Sequence, residues 1–447
     1  MKRVLVITYY WPPSGGSGVQ RWVKFAKYLP GEGWLPVIYT PEDPDFTSRD
    51  ETLGAEIPPE VEVVRRPIVE PYSLYRKFTG GNKSQVTPIS SGKKSFKEKV
   101  SLWVRGNLFV PDPKILWVRP SVRFLKKYLK EHPVDVIVTT GPPQSMHLIG
   151  LEVHKATGIP WLADFRDPWT RHYSLPFLPL TKRTWRKLKN EEQAVLENCS
   201  TVLTVTSFVQ KDYQAQTKTP VEMITNGFDG DDYTGEPVMD GFFNITQTGS
   251  LTADGNPTML WKVLGELAAK DESFRKALRI RLTGIIDKEV IDAIINAGLK
   301  ENLINLGYCR HKEAIKEQQK ASVLVLPLRD APEMKTILPG KVFEYLAARK
   351  PILGFGQTDG AQAEILSETG AGVMADWDDI ELVRSFIIDQ YKHHLAGEIP
   401  APKGDIDKYS RRNLTGRLAE LLNKLAGTGT LAGIGPVGTK NPGGTKK

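Results

Sequence analysis

Cysteine is almost missing from this chain. Cys199 and Cys309 are the only two in 447 residues, and neither lies in a Cys-x-x-Cys or beside a histidine pair. A disulfide scaffold and a zinc ribbon are therefore excluded, and nothing points to an oxidising compartment. The seven histidines are scattered apart from His393 and His394, so no metal-binding cluster is expected. Long apolar runs are lacking too: no stretch approaches the roughly 18 residues that cross a bilayer. The opening MKRVLVITYYWPP has a basic start and a short apolar run, but it ends in Trp-Pro-Pro instead of a small-residue cleavage site. We expect no signal peptide and a cytoplasmic protein.

What is present suits a large globular chain: 40% hydrophobic and 25% charged residues, enough for two or three domains with cores of their own. The net charge of +8 is unevenly spread, because residues 76–130 alone hold fourteen Lys and Arg against Glu98 and Asp112. A second basic run, Lys182-Arg183-Thr184-Trp185-Arg186-Lys187, follows the apolar stretch 175–180. Phe96, Trp103, Phe109, Trp117 and Trp185 interleave with these cations. A basic surface with an apolar edge suits an anionic membrane face, here through residues 76–130 and 175–189. The plainer alternative is a pair of solvated helices. No nucleic-acid-binding module is present, and nucleic acid is not an expected partner.

Buried-type strands at 3–8, 36–40, 134–140, 159–165, 201–206 and 221–225 alternate with helical periodicity, as in Val19, Trp22, Val23, Ala26 and Leu29. Residues 41–115 read as irregular. A second series of strands follows at 243–249, 280–284, 304–308, 322–328 and 351–356. Alternation of this kind predicts parallel sheets covered by helices. We assign 1–228 to one domain, 229–242 to a linker, 243–380 to a second domain, 381–426 to closing helices and 427–447 to an unstructured Gly/Thr-rich tail. A dinucleotide-binding oxidoreductase fits poorly. After Gly16-Ser17-Gly18 comes Val19-Gln20-Arg21, so the third glycine of the fingerprint is missing, and the first acid after the next strand is only Glu42. Asp229-Gly230-Asp231 looks like a metal-binding Asp-x-Asp but reads as a turn. His147 is expected to be a buried structural histidine.

The most pointed motif follows the strand at 322–328. Pro339-Gly340 opens a helix, Lys341 lies in its first turn and Glu344 comes three residues later on the same face. Open amides and the helix dipole can hold a diphosphate, and a carboxylate can accept two hydrogen bonds from a ribose diol. A solvated Lys-Glu pair is the alternative.

Five blocks in order resemble the retaining GT-B glycosyltransferases of family four. They are Tyr9-Tyr10-Trp11-Pro12-Pro13 with Gly15-Gly16; Asp164-Phe165-Arg166-Asp167-Pro168-Trp169; Ile224-Thr225-Asn226-Gly227-Phe228-Asp229; Thr248-Gly249-Ser250-Leu251; and Gly340-Lys341-Val342-Phe343-Glu344-Tyr345-Leu346-Ala347. The resemblance implies an α/β GT-B fold of two Rossmann-like doubly wound domains facing a central cleft. It implies a nucleotide-diphosphate-sugar donor in the C-terminal domain, 243–380, and an acceptor in the N-terminal domain, 1–228; the basic N-terminal face suits a lipid-linked or polysaccharide acceptor for the hexosyl group. The anomeric configuration would be retained, and neither a metal nor a cofactor would be needed. Peripheral association with the inner face of the cytoplasmic membrane would fit such an acceptor. Carried over by residue, Glu344 holds the ribose; Leu338, Pro339, Gly340 and Lys341 lie at the diphosphate or sugar. Gly249 and Ser250 border the phosphates, Tyr308, Cys309 and Arg310 flank the base, and Gly15 and Gly16 let backbone approach the donor sugar. Asp164 or Asp167 contacts sugar or acceptor, with Arg166 as a phosphate partner; an internal ion-pair network is the other reading of this block.

Three departures stand out. Thr336 occupies the place of a family glutamate, with Glu333 out of register. Residues 252–256 lack the two cations that neutralise the diphosphate, leaving Lys341, Arg329, Lys335 or Arg310 to supply charge. Asp164 stands where many relatives have histidine. A sugar-nucleotide epimerase or hydrolase of the same shape, and a non-enzymatic sugar or lipid binder, are the rival readings.

Overall fold

The computed structural model describes residues 1–45, 49–70, 96–235 and 240–429. The expected tail from residue 430 on and the part of the basic stretch at 76–95 lie outside the described residues. The chain divides into two compact units. One comprises Met1–Leu203, Tyr213–Glu222 and the chain from Gly416 on; the other comprises Thr204–Asp212 and Met223–Thr415.

Seven strands form the first sheet: β1 (Lys2–Ile7), β2 (Trp34–Glu42), β3 (Glu62–Pro67), β4 (Val136–Gly141), β5 (Trp161–Phe165), β6 (Thr201–Thr204) and β7 (Val221–Met223). Their order is β3-β2-β1-β4-β5-β6-β7. Six strands form the second: β8 (Phe243–Thr248), β9 (Leu278–Thr283), β10 (Leu303–Gly307), β11 (Val323–Pro327), β12 (Ile352–Phe355) and β13 (Gly372–Ala375), in the order β10-β9-β8-β11-β12-β13. The ladders from β3 to β5 and throughout the second sheet are parallel. Apolar runs produce this arrangement because a parallel sheet is covered on both faces. Val4, Leu5, Val6 and Ile7 of β1 are all fully buried. In β11, Val323 and Val325 join one core with Trp261, Leu264 and Ile294, while Leu324 and Leu326 join another with Val342, Phe343 and Ile365. That alternation puts helices on both faces of the second sheet.

In each sheet the chain reverses its direction of travel at one place: between β1 and β4 in the first, and between β8 and β11 in the second. The carboxyl ends of such strand pairs form a natural ligand crevice. Two strands escaped the sequence reading. β3 lies in the stretch read as irregular, and β13 lies beyond the last expected strand. Both are edge strands, and most of the β3 residues are partly or fully exposed. The stretch read as a linker begins as a turn of the second unit, Gly230–Tyr233, capped by the Asp229 side chain accepting from Asp231 N. The last helix, Arg411–Gly429, runs past Gly427, where the tail was expected to begin.

Candidate functional site

In the second unit the carboxyl ends of β8, β9 and β10 finish in three glycines at positive φ: Gly249 (+92°), Gly284 (+127°) and Gly307 (+65°). Gly249 N donates to Thr283 O at 2.6 Å and Gly284 N to Gly307 O at 2.7 Å. A Cβ on Gly284 would sit 2.3 Å from Gly249 O, so only glycine lets these loops close up. The helix Gly340–Ala347 begins beside them. Pro339 precedes it in extended conformation and provides no side-chain cap; Val342 N donates to Pro339 O at 3.3 Å, and the Gly340 and Lys341 amides are left open. The Lys341 ammonium reaches back to the glycine loop, since a Cβ on Gly249 would lie 2.6 Å from its Nζ. Burial lowers the Lys341 pKa, and the Glu344 charge opposes that shift. Gly249, Lys341 and Glu344 are thus brought together at the β8/β11 reversal, with Ser250 exposed on the same loop and Leu338 buried before the helix.

A buried network orients the helix. Tyr345 Oη accepts from Thr248 N at 3.0 Å and donates to Val325 O at 3.3 Å, pinning it to the end of β8 and the middle of β11. Gln318, fully buried on the helix His311–Lys320, donates to Thr248 Oγ1 at 3.1 Å and to Glu344 Oε2 at 3.2 Å. Tyr233 Oη donates to Gln318 Oε1 at 2.8 Å. Sequence reasoning missed Gln318 and Tyr233, because each acts on residues far away in the chain.

The four candidate cations now separate. Arg329 lies 3.9 Å from Asp254, and Lys335 bonds Asp359. Arg310 is exposed at the start of the 311–320 helix, where its N donates to Glu313. Of the four, Lys341 is seen against the glycine loop, at Gly249. Tyr308 is 84% exposed directly after Gly307, and Cys309 is partly exposed beside it. Thr336 and Glu333 share the short turn Pro332–Thr336, with Thr336 Oγ1 donating to Glu333 O.

The first unit treats its charged block differently. Asp164 is fully buried at the end of β5, and both of its oxygens are occupied. Arg21 donates Nε to Oδ2 at 3.2 Å and Nη2 to Oδ1 at 3.1 Å; Trp22 Nε1 and Thr140 Oγ1 add bonds of 2.8 and 2.9 Å. This answers the choice posed by the sequence: Asp164 belongs to an internal network and is closed to ligands. Arg166 donates Nε to Gly141 O at 3.2 Å, Nη1 to Gly18 O at 2.6 Å and Nη2 to Pro142 O. Its guanidinium therefore ties the first turn of the helix Ser17–Tyr28 to the end of β4 and the residue after it, with all three nitrogens engaged by backbone carbonyls. Asp167 is the one carboxylate of the block left partly open. Gly16, at φ +96°, starts the helix Ser17–Tyr28 directly after Gly15. His147 is fully buried as expected, bonded through Nδ1 to Thr139 Oγ1 at 2.8 Å and stacked on Phe165. Burial pushes its pKa down to about 3.

The two basic stretches also meet. Asn107, in the helix Phe96–Leu108, donates to Pro179 O at 2.9 Å and accepts from Thr181 N at 2.8 Å and Thr184 Oγ1 at 2.7 Å. Between them lies a groove of about 560 Å³ lined by Lys99, Val100, Trp103, Phe177 and neighbours. Trp103 and Phe177 are 44% and 39% exposed. Lys182, Arg186 and Lys189 form an exposed stripe on the helix Lys182–Asn198, which starts three residues after Pro179. Among the described residues no helix is long and apolar enough to cross a membrane.

Residues 83–232 match the family Glycosyltransferase Family 4. Solved structures similar over nearly the whole chain include a glycosyltransferase from Rickettsia africae, at 15% identity and TM-score 0.57, covering 95% of this chain and 98% of that one. The Anabaena protein HepE, in complex with UDP-glucose, matches at 13% identity and TM-score 0.53, covering 97% and 100%. WaaG, a glycosyltransferase involved in lipopolysaccharide biosynthesis, matches at 14% and 0.51, covering 96% and 99%. No curated protein matches the chain. The chain has the GT-B fold, and within it residues 83–232 match a glycosyltransferase family.

Proposed function

We propose that this protein is a retaining glycosyltransferase. It moves a hexosyl group from a nucleotide-diphosphate sugar to a lipid-linked or polysaccharide acceptor in cell-surface glycan synthesis, without a metal or cofactor. The observation that carries this reading is the Lys341 ammonium set against the Gly249 loop, with uncapped amides beside it and Glu344 on the next turn. Lys341 and the amides of Gly340 and Lys341 neutralise the diphosphate as it leaves; Glu344 holds the ribose. Tyr308 offers a face to the base. The acceptor hydroxyl attacks from the side the diphosphate vacates, and its proton passes to a diphosphate oxygen. Catalysis is then positioning and charge stabilisation, with no protein nucleophile. HepE with its UDP-glucose supports the donor class, and the role of WaaG in lipopolysaccharide synthesis supports the acceptor class.

The basic, apolar-edged face around Trp103 and Lys182 supports peripheral docking on an anionic membrane, where a lipid-linked acceptor resides. Flotation with anionic vesicles at low salt checks this: wild type should bind, and Lys182→Glu with Arg186→Glu should release it. Equal recovery with uncharged vesicles would remove the docking claim.

For the reaction itself, a thermal-shift panel of uridine, guanosine and adenosine diphosphate sugars should single out one donor. Glu344→Ala should weaken that donor about tenfold or more with folding unchanged. Transfer should persist in a chelator. Donor turnover as fast without acceptor as with it would indicate a hydrolase or epimerase instead.

A further inference from the structure

A carboxylate that recognises a sugar diol must be aimed, yet must keep its lone pairs. Glu344 meets both demands through one neutral donor. Gln318 Nε2 bonds Oε2 at 3.2 Å, and among the described residues Oε1 has no hydrogen-bond partner. The contrast with Asp164 is instructive: there Arg21 takes both oxygens, and two further donors close the site. An amide donates without cancelling the charge, so Glu344 stays a strong acceptor.

The Gln318 amide is itself fixed. Its two N–H groups go to Thr248 Oγ1 and Glu344 Oε2, and its oxygen accepts from Tyr233 Oη at 2.8 Å. Turned over, the amide would set an oxygen against the Glu344 carboxylate and an N–H₂ against the Tyr233 hydroxyl hydrogen. Burial and the neighbouring Glu344 and Asp232 charges keep the Tyr233 phenol protonated and therefore a donor. Thr248 ends β8, Gln318 comes from the helix before β11, and Tyr233 ends the turn at 230–233. Three separate elements thus converge on the amide that holds this carboxylate.

We propose that Gln318 is a positioning residue. Locked by Tyr233, it holds the Glu344 carboxylate in the orientation that accepts the ribose hydroxyls, and so gives the site its preference for ribonucleotide over deoxyribonucleotide donors. This rests on the reading that Glu344 grips the ribose, and the test separates the two.

Calorimetry would compare uridine, guanosine and adenosine diphosphates with their 2′,3′-dideoxy counterparts on the full chain. Wild type should bind the preferred ribonucleotide about tenfold more tightly than its dideoxy analogue, the scale of one charged hydrogen bond. Glu344→Ala should erase that ratio. Gln318→Glu keeps the shape and the acceptor for Tyr233 but offers Glu344 a like charge; it should also erase the ratio, as should Gln318→Met, which keeps the volume. Tyr233→Phe should reduce the ratio to about threefold, because the amide is then free to turn. No ribose preference in wild type would overturn the Glu344 reading itself. A ratio lost in Glu344→Ala but intact in Gln318→Glu and Gln318→Met would leave that reading standing and overturn this one. Should the Gln318 variants fail to fold, Tyr233→Phe decides: an undiminished ratio overturns the proposal.

Discussion

Two short charged blocks, Asp164-Phe165-Arg166-Asp167 and Lys341-Val342-Phe343-Glu344, look alike in the sequence: each sets a base near an acid after a buried strand. In the folded chain they have opposite fates. The first block faces inward, where Asp164 saturates itself on Arg21 and Arg166 binds three backbone carbonyls. The second stays partly open, with Lys341 set against a glycine loop and Glu344 held by one amide. Charge at the carboxyl end of a strand therefore does not by itself mark a ligand site. What marks it is donor and acceptor capacity left over after the protein's own groups are satisfied.

The sharpest way to break this comparison is Asp164→Ala. It leaves the Arg21 guanidinium buried without its acid, which costs about 3–5 kcal/mol. Denaturant unfolding should show a large loss of stability or no cooperative transition. A stable Asp164→Ala protein that had lost only transfer would mean that Asp164 serves the substrate after all. Lys341→Met should do the reverse. The Lys341 pKa is lowered by burial, so its charged form is disfavoured in the fold, and replacing it should leave the melting temperature unchanged or raise it. Donor affinity should fall by about 1.5–3 kcal/mol, the range of a charge-assisted hydrogen bond. Unchanged diphosphate binding in Lys341→Met would return Arg329, Lys335 and Arg310 to contention.

The sequence told these blocks apart only in part, for physical reasons. Strands buried on both faces announce themselves as continuous apolar runs, as β1 and β11 do. β3, Glu-Val-Val-Arg-Arg-Pro, lies at an edge, and its cations leave no such run. The Gly340-to-Glu344 site was legible because a helix brings residues three apart onto one face. The Gln318 network was not, since Gln318 meets Thr248 across 70 positions and Tyr233 across 85. The choice of Lys341 over Arg329 and Lys335 likewise turned on partners distant in the chain, Asp254 for Arg329 and Asp359 for Lys335. Asp164 was open to two readings because its partners, Arg21 and Trp22, come from a helix more than 140 residues earlier.

If the first unit's buried groups are committed to the fold, their titration should appear in stability and leave donor binding alone. His147 and Glu191 test this with opposite signs. Burial pushes the His147 pKa from 6.5 to about 3; the Asp164 charge opposes this and the Arg166 charge adds to it. The unfolded chain therefore takes up a proton below pH 6.5 that the folded chain refuses, and stability falls with falling pH by about 1.4 kcal/mol per unit down to pH 3. Glu191 runs the other way. Burial raises its pKa from 4.5 to about 7 against the pull of Lys187, so the folded chain takes up its proton first. Its contribution is full below pH 4.5 and is lost as the pH rises through 7. These two contributions nearly cancel between pH 6.5 and 4.5, and of the pair only His147 acts below that. Measured against a His147→Gln, Glu191→Gln double variant, which keeps every other titrating group, the unfolding free energy from urea titrations should hold level over the first window, then drop by about 2 kcal/mol on going to pH 3. On that same scale His147→Gln should remove this drop, and Glu191→Gln should start it near pH 6.5. A wild-type profile that declines steadily from pH 6.5 relative to the double variant would show that Glu191 is not held protonated in the fold. A drop that also tracked donor affinity would place His147 in the substrate's reach and erase the division between the two units' charges.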